Sequence, residues 1–228
     1  MIHYGTAVRS GSKAMPDPQS TVIVVDDDIS TREGLEALLC AAGWSVKSFA
    51  SAAEFLAWRQ PSGPSCLLLD VGLPDLNGLD LQDRIAGDRP EMPIIFITGY
   101  GDVPMTVRAM KAGAVEFLTK PLGEDVLLDA VDKAIEQSRI ANELQSGQRD
   151  LEARHGSLSP REKQVMALVV SGLLNKQVGY ELGISEITVK AHRGRVMEKM
   201  KAKSFADLVK MSANLGGAAV PAESSEFH

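Results

Sequence analysis

Five short apolar runs, separated by stretches with helical periodicity, limit the folds that residues 21–135 can form. The runs lie at 22–25, 44–49, 66–69, 94–98 and 114–118. Between them, apolar residues recur at the spacing of amphipathic helices, as at Leu35, Leu38 and Leu39 or at Val107 and Met110. Strands that are apolar throughout are buried on both faces. The alternation therefore predicts an α/β domain with a five-stranded, doubly wound parallel sheet between helices.

Ionisable and hydroxyl side chains follow four of the five predicted strands. In strand order they are Asp26 and Asp27, Asp70, Thr98 and Lys120. The carboxyl ends of strands one, three, four and five meet at the edge where doubly wound sheets bind ligands. Crowded carboxylates repel one another unless a cation joins them, and Mg²⁺ or Mn²⁺ suits oxygen ligands. With the metal and Lys120 neutralising charge, Asp70 can attack a phosphoryl donor, and Thr98 can hydrogen-bond the transferred group.

A single acidic residue after a strand is more often a helix cap, and Asp28 is expected to cap the first helix. The other positions gain weight together, because each falls at or just after a successive strand. Coincidence is therefore a poor explanation for the set.

Three segments of this region resemble the receiver domain of two-component response regulators: VIVVDDD, LLLDVGLPDLNG and IIFITGYGDVPMTVRAMKAGAVEFLTKP. The resemblance implies a flavodoxin-like sheet in which Asp70 accepts a phosphoryl group from a sensor histidine kinase. The other implied roles are Asp26 and Asp27 as metal-binding acids, the Gly72 carbonyl as a metal ligand, Thr98 and Phe117 as switch residues, and Lys120 as the active-site lysine. It also implies a cis peptide bond between Lys120 and Pro121.

A helix-turn-helix pattern occupies the C-terminal part of the chain. Ser159 followed by Pro160 is a helix start, and this helix is expected to reach about residue 171. Further helices are predicted at 175–182 and 186–201, joined by a tight turn at Gly183. The last helix carries the cations Lys190, Arg193, Arg195 and Lys199 among its residues. Its apolar residues Ile187, Val196 and Met200 are expected to anchor it to the other helices.

The charge of the chain is divided unevenly. Residues 157–214 contain ten Lys and Arg against five Asp and Glu, net +5, whereas the remainder contains 14 against 25, net −11. A basic segment on an acidic protein suggests that this segment contacts a polyanion such as double-stranded DNA. Charge alone leaves a solvated helix face equally open.

The segment LSPREKQVMALVVSGLLNKQVGYELGISEITVKAHRGRVMEKMKAKS resembles the LuxR-type DNA-binding domain, and the whole chain resembles the NarL/FixJ class of response regulators. The implied base-facing residues are Lys190, Ala191 and Gly194. The implied contacts to the DNA backbone are Asn175, Lys176, Thr188, His192, Arg193 and Arg195. Because Gly194 has no side chain for base reading, the target sequence is not predicted.

The sequence is therefore divided into a flexible extension (1–20), a receiver domain (21–135), a helical linker (136–156), a LuxR-type DNA-binding domain (157–214) and a flexible tail (215–228). Phosphorylation is expected to favour a homodimer through the fourth helix, fifth strand and fifth helix, so that two DNA-binding domains are paired. Exposure of a masked recognition helix is the competing mechanism.

No apolar run approaches the ~20 residues of a membrane span, so a cytoplasmic location and no membrane partner are expected. Cys40 and Cys66 lack metal-site or disulfide spacing and are expected to be buried as small apolar residues.

Two other classes of protein are weighed against a response regulator. A phosphohydrolase with an Asp nucleophile would need a second acid two residues later, where this chain has Gly72. A ligand-sensing regulator would not need the acidic cluster with Thr98 and Lys120, and the low aromatic content argues against a large pocket. We therefore expect a transcription regulator that is not an enzyme, apart from catalysing its own phosphorylation and dephosphorylation.

Overall fold

The computed structural model describes residues 20–59, 63–99 and 101–216, and it confirms an α/β sheet domain followed by a small helical domain. Internal contacts divide the chain into two units between Asn142 and Glu143, within the predicted linker at 136–156. The extension predicted at 1–20 and the tail predicted at 215–228 lie almost entirely outside the described residues.

Strands and helices alternate through the first unit. They are β1 (Thr21–Val25), α1 (Ile29–Ala41), β2 (Ser45–Phe49), α2 (Ala52–Ala57), β3 (Ser65–Asp70), α3 (Gly78–Ile85), β4 (Ile94–Thr98), α4 (Val103–Lys111) and β5 (Glu116–Thr119), followed by α5 (Glu124–Gly156). The five strands are parallel and lie in the order β2-β1-β3-β4-β5. The order places β1 and β3 next to each other, which brings their carboxyl ends together.

Side chains of the sheet alternate between two apolar cores. Ile23 and Val25 of β1 face the layer that contains α2, α3 and α4, where they pack with Phe55 and Leu81. Val22 and Val24, the alternate residues of β1, face α1 and α5. They pack in the second core with Leu39, Leu127 and Val131. Because both faces of the sheet are covered, the strands are apolar at nearly every position, as the sequence indicated.

Two predicted strands begin too early for the same physical reason. Trp44 and Ala114 still belong to helix ends, since their N–H groups donate to Leu39 and Ala109 five residues earlier. Trp44 follows Gly43 and Ala114 follows Gly113. Both glycines have positive φ, a conformation that ends a helix. Consequently β2 begins one residue and β5 two residues after the predicted starts.

In the second unit, the described residues up to 216 form four helices after the end of α5. They are α6 (Pro160–Val170), α7 (Asn175–Leu182), α8 (Glu186–Met200) and α9 (Phe205–Asn214). The sequence did not predict α9, although Ser204 caps it by accepting a hydrogen bond from the Asp207 N–H. The third apolar core contains Val178, Val189 and Leu208, together with Leu151 from α5. The last turns of α5, predicted as linker, therefore contribute to the core of the second unit.

The burial predicted for Cys40 was wrong. Cys40 is exposed, because it follows the buried Leu39 on α1 and points about 100° away from it; Cys66 is buried as predicted. Val107 and Met110 lie on an exposed face of α4, which buries Ala109 instead. Among the described residues, no helix is long and apolar enough to cross a membrane.

Candidate functional site

Asp26 lies directly after β1 and is 1% exposed. Its Oδ1 accepts a hydrogen bond from the Asp28 N–H at 2.9 Å, and its Oδ2 lies 2.7 Å from Lys120 Nζ. The backbone carbonyl of Asp26 accepts a hydrogen bond from Arg32 Nη1 at 2.6 Å, a contact that the sequence did not reveal. Asp28 caps α1 by accepting from the Thr31 N–H, which confirms the predicted cap. The carboxylate of Asp26 is therefore fixed before any ligand binds.

Asp70 ends β3 and is 8% exposed. Carboxylate oxygens of Asp26, Asp27 and Asp70 lie within 4.8 Å of one another. Burial raises the pKa of Asp70, and the charges of Asp26 and Asp27 raise it further, whereas Lys120 at 3.6 Å works in the opposite direction. The site thus combines three acids with one ammonium group, an excess of negative charge.

Lys120 connects the two buried acids. Burial acts to lower the pKa of Lys120, but the hydrogen bond to Asp26 and the charges of Asp26 and Asp70 outweigh burial, so the pKa is raised. Its backbone N–H donates to the Thr98 carbonyl at 2.8 Å, and its bond to Pro121 is cis. The contacts of Nζ with Asp26 at 2.7 Å and Asp70 at 3.6 Å hold the ammonium group beside the carboxylates.

The donor set fits a hard divalent cation. Carboxylate oxygens are the ligands that Mg²⁺ prefers, and a cation would offset the repulsion that raises the pKa of Asp70. The backbone of Gly72 lies against the same group, because a Cβ at Gly72 would be 3.4 Å from Asp70 Oδ2. The carboxylates of Asp26, Asp27 and Asp70 are thus brought together with the backbone of Gly72 close to Asp70, and the Gly72 carbonyl stays a predicted ligand.

The two predicted switch residues lie beside this cluster. Thr98 ends β4 and is buried, and Phe117 of β5 packs against Phe96 with ring centroids 6.1 Å apart. A Cβ at Gly101 would lie 2.9 Å from Phe117 Cε1, so the glycine leaves the space that the ring occupies. A cavity of about 270 Å³ borders the ring and is lined by β5 and the start of α5. Phe117 thus contacts Phe96 on one side and borders this surface cavity on another.

The second candidate site is the exposed face of α8. Val189, Val196 and Met200 are buried in the core of the second unit. The predicted contacts that α8 exposes are Lys190, Ala191, Gly194 and Arg195, and Lys176 of α7 is also exposed. Lys190 Nζ pairs with Glu186 at 3.0 Å. Since both partners of this pair are largely solvated, the bond can exchange for a stronger one.

Four other predicted contacts, Asn175, Thr188, His192 and Arg193, are half-buried. Arg193 Nη1 donates to Asn175 Oδ1 at 3.2 Å, and its guanidinium lies 4.9 Å from the centre of the Phe205 ring. The Thr188 N–H donates to Ser185 Oγ at the start of α8. The contacts of Arg193 join α8 to α7 and α9, and the Thr188 bond caps the start of α8, so the four residues differ from the exposed set in being partly covered.

Ile187 contradicts its predicted role as a core anchor. It is 79% exposed, whereas Val189, two residues later, is buried. The helical period places these two residues on opposite sides of α8. The error arose from treating every apolar residue of the helix as part of one face.

Lys199 and Glu162 form an ion pair that the sequence did not predict. Lys199 Nζ lies 2.7 Å from Glu162 Oε2, and Glu162 completes a capping box with Ser159. The Lys199 hydrogen bond and the Ser159 N–H lower the pKa of Glu162 to about 2. The spacing Ser-x-x-Glu at the start of α6 is the signal that could have identified this buried acid.

Comparisons with known proteins match both parts of the chain. The family described as response regulator receiver domain matches residues 22–132, and the family described as bacterial regulatory proteins, luxR family, matches residues 156–212. Nodulation protein W of Bradyrhizobium diazoefficiens is 52% identical over 206 residues, which cover 90% of this chain and 91% of that protein. Transcriptional regulatory protein FixJ of Rhizobium meliloti is 43% identical over 192 residues, which cover 84% and 94%.

Two similar solved structures extend over nearly the whole length of their own chains. The response regulator StyR is 46% identical, with a TM-score of 0.78, and the match covers 86% of this chain and 98% of StyR. Full-length FixJ from B. japonicum is 40% identical, with a TM-score of 0.53, and the match covers 88% and 98%. The order of the two domains is therefore shared with proteins of known structure.

Proposed function

The chain belongs to the two-component response regulators that join a receiver domain to a LuxR-type DNA-binding domain, and we propose that phosphorylation of Asp70 controls its binding to DNA. The observation that carries this proposal is the convergence of Asp26, Asp27 and Asp70 with Lys120 at the carboxyl edge of the sheet. Asp70 is the proposed nucleophile because both carboxylate oxygens of Asp26 are already engaged, by the Asp28 N–H and by Lys120.

In the proposed reaction, a carboxylate oxygen of Asp70 forms a bond to phosphorus while the bond between phosphorus and the phosphohistidine nitrogen of a sensor kinase breaks. Mg²⁺ held by Asp26, Asp27, Asp70 and the Gly72 carbonyl would neutralise charge on the transferring oxygens. Lys120, which hydrogen-bonds Asp26, would also interact with the negative charge of the new phosphoryl group. The receiver thus catalyses its own modification with the kinase phosphohistidine as phosphoryl donor, and hydrolysis of the acyl phosphate by water would reverse the signal.

For the transmission of the signal, we place the first step at Thr98 and Phe117. The Thr98 hydroxyl would hydrogen-bond the phosphoryl group and leave space beside β5. Phe117 can then move inwards from its position against Phe96 and Gly101. The proposed result is a changed surface over α4, β5 and the start of α5.

That surface carries exposed apolar residues suited to a homodimer. Val103 is 76% exposed on α4, where Val107 and Met110 are also exposed, and Val126 is exposed on α5. A dimer through this surface would connect two DNA-binding domains, so that binding of the second becomes intramolecular. Such linkage raises overall affinity by about 10²- to 10⁴-fold.

For DNA, we propose that α8 enters the major groove. Lys190, Ala191 and Gly194 would face base edges, whereas Lys176 and Arg195 would contact phosphates. Asn175, Thr188, His192 and Arg193 would approach the backbone while their present partners hold α7 and α8 in position. A regulator with this task acts in the cytoplasm, where its kinase partner and double-stranded DNA are accessible.

Replacement of Asp70 tests the assignment. Wild-type protein incubated with acetyl phosphate and Mg²⁺ should gain about 80 Da in intact mass. Asp70→Asn should gain nothing, because it removes the nucleophile at nearly constant volume, whereas the exposed control Asp88→Asn should behave as wild type. Full phosphorylation of Asp70→Asn at another residue would overturn the proposal.

A separate measurement tests the dimer. Beryllofluoride with Mg²⁺ should double the mass measured by light scattering for wild type but leave Val103→Glu monomeric, since the buried surface would contain an unpaired charge. Restored DNA binding by a protein that stays monomeric would instead support unmasking of the recognition helix.

A further inference from the structure

Ile187 is the second residue of α8, and its side chain is 79% exposed. At about 100° per residue, it lies on the side of the helix opposite Val189, Val196 and Met200, which the core buries. Core packing therefore gives no reason for a large aliphatic side chain at this position.

The face that carries Ile187 also carries the three proposed base-reading positions. Lys190, Ala191 and Gly194 follow it by three, four and seven residues, so all four project from one side of α8. Ala191 and Gly194 have little or no side chain, and a Cβ at Gly194 would meet no atom within 4 Å. Small residues let the helix backbone approach a neighbouring surface closely, so Ile187 would reach deepest at the N-terminal end of this face.

The charges around Ile187 favour nucleic acid over a protein as its partner. Exposed cations border the face, Lys190 and Arg195 on α8 and Lys176 on α7. Glu186 and Lys190 form an ion pair at 3.0 Å, so the excess positive charge comes from Arg195 and Lys176. Glu198 lies on the same face about 16 Å further along the helix, and its charge would be unfavourable near phosphates. The N-terminal turns are therefore the part of α8 suited to a groove lined by phosphates.

We infer that Ile187 reads DNA sequence by packing against the C5-methyl group of a thymine in the major groove. This inference rests on the proposed binding of α8 to DNA and adds a specificity-determining residue to it. The thymine methyl is the apolar group that base edges present in the major groove, and aliphatic side chains recognise it by contact. Residues at the N-terminal end of a recognition helix are the ones that reach base edges.

The residues of this face predict that base recognition depends on apolar contacts as well as on hydrogen bonds. Lys190 can donate hydrogen bonds to a guanine, whereas Ile187 and Ala191 offer only apolar surface. Burial of one methyl group corresponds to about fourfold in affinity. Preference at the positions next to Ile187 would therefore depend on a methyl group and not on a hydrogen bond.

Deoxyuridine provides the direct test, because it differs from thymidine only in lacking the C5-methyl group. Full-length protein with beryllofluoride and Mg²⁺ would first select its preferred sequence from random duplexes. Each thymine of the selected duplex would then be replaced in turn by deoxyuridine. We expect wild-type affinity to fall by about fourfold at one or two positions in each half-site.

The Ile187→Ala variant should lose this sensitivity at one of those positions or more, and Ile187→Val, which retains methyl groups, should keep most of it. Leu174→Ala is the matched control, because Leu174 is a similarly exposed aliphatic residue outside the face of α8. It should keep the full wild-type response to deoxyuridine. The comparison within each protein removes any general loss of affinity.

The outcomes separate the inference from the proposed function. A selected sequence without sensitive thymines, or unchanged sensitivity in Ile187→Ala, overturns the role of Ile187 while DNA recognition stands. Selection of no preferred sequence contradicts sequence-specific binding itself, and the role of Ile187 falls with it.

Discussion

Two buried acids, Asp70 in the receiver and Glu162 in the DNA-binding domain, have opposite electrostatic environments. Burial and the neighbouring charges of Asp26 and Asp27 raise the pKa of Asp70. Hydrogen bonds from Lys199 and from the Ser159 N–H lower the pKa of Glu162 to about 2. The same type of group is thus left short of positive charge in one domain and fully paired in the other.

The two environments correspond to two roles, a reactive group in the receiver and a structural ion pair in the DNA-binding domain. At Asp70 the excess negative charge creates a place for a cation and for a phosphoryl group, whose arrival changes the balance. At Glu162 every strong interaction is already made, and the ion pair joins α6 to α8. A shifted pKa in this chain therefore has to be interpreted together with its cause.

The largest expected effect comes from breaking the paired site. Lys199→Met should lower the free energy of unfolding of the DNA-binding domain by about 3 kcal/mol, the low end for a broken buried pair, because the Lys199 side chain is 38% exposed. Far-UV circular dichroism in urea reports both domains. Both tryptophans, Trp44 and Trp58, lie in the receiver, so their fluorescence transition should not change. Equal shifts of both signals would contradict a local effect.

The pH dependence of stability should have opposite signs at the two acids. Glu162 has a lowered pKa, so its contribution is present above the ordinary value of 4.5 and is lost as pH falls towards about 2. Asp70 has a raised pKa, so its unfavourable contribution without metal is relieved as pH falls through that raised value. The difference between wild type and Glu162→Gln, and between wild type and Asp70→Asn, measured in urea across this range, isolates each contribution. If both differences in stability changed in the same direction with pH, the two acids would not have opposite electrostatic environments.

Exposed charged side chains on α8 are expected to exchange their present partners for DNA. Lys190→Ala should weaken binding to a preferred sequence more than to random DNA, by about 1–3 kcal/mol of discrimination. Arg195→Ala should weaken both and reduce the slope of log affinity against log salt by about one. Fluorescence anisotropy at several salt concentrations measures both quantities. Equal effects of the two substitutions would refute the division between base and phosphate contacts.

The smallest expected effect is a gain in stability. Asp70→Asn removes one charge from a crowded cluster, so without Mg²⁺ the receiver should become slightly more stable than wild type. Mg²⁺ should stabilise wild type further by binding the folded state, and it should stabilise the variant less. Tryptophan fluorescence in urea, with and without Mg²⁺, gives both values. A loss of stability in Asp70→Asn would show that the carboxylate is not crowded.

The sequence predicted the sheet and the acidic cluster because both depend on strong local patterns. Apolar runs marked the strands, and the residues after them met where parallel strands end. Trp44 and Ala114 were assigned to strands because composition does not distinguish an apolar helix end from an apolar strand. Hydrogen bonds to residues five positions earlier decide the matter, and these are visible only in three dimensions.

The DNA-binding surface was less predictable, because the type of a residue does not show which side chains it contacts. Arg193 and Arg195 look alike in sequence, yet Arg193 is bound to Asn175 and stacked on Phe205, whereas Arg195 is exposed. Ile187 was read as core because apolar residues usually are. The position of α9, which supplies Phe205, had to be known before these residues could be separated.

The most direct test of the central claim, that the charge state at Asp70 controls DNA binding, is the affinity of full-length protein for its selected duplex with and without beryllofluoride and Mg²⁺. We expect a gain of about 10²- to 10⁴-fold for wild type, as intramolecular linkage of two domains allows, and none for Asp70→Asn. An equal gain in Asp70→Asn, or no gain in wild type whose Asp70 is fully occupied by beryllofluoride, would contradict the account.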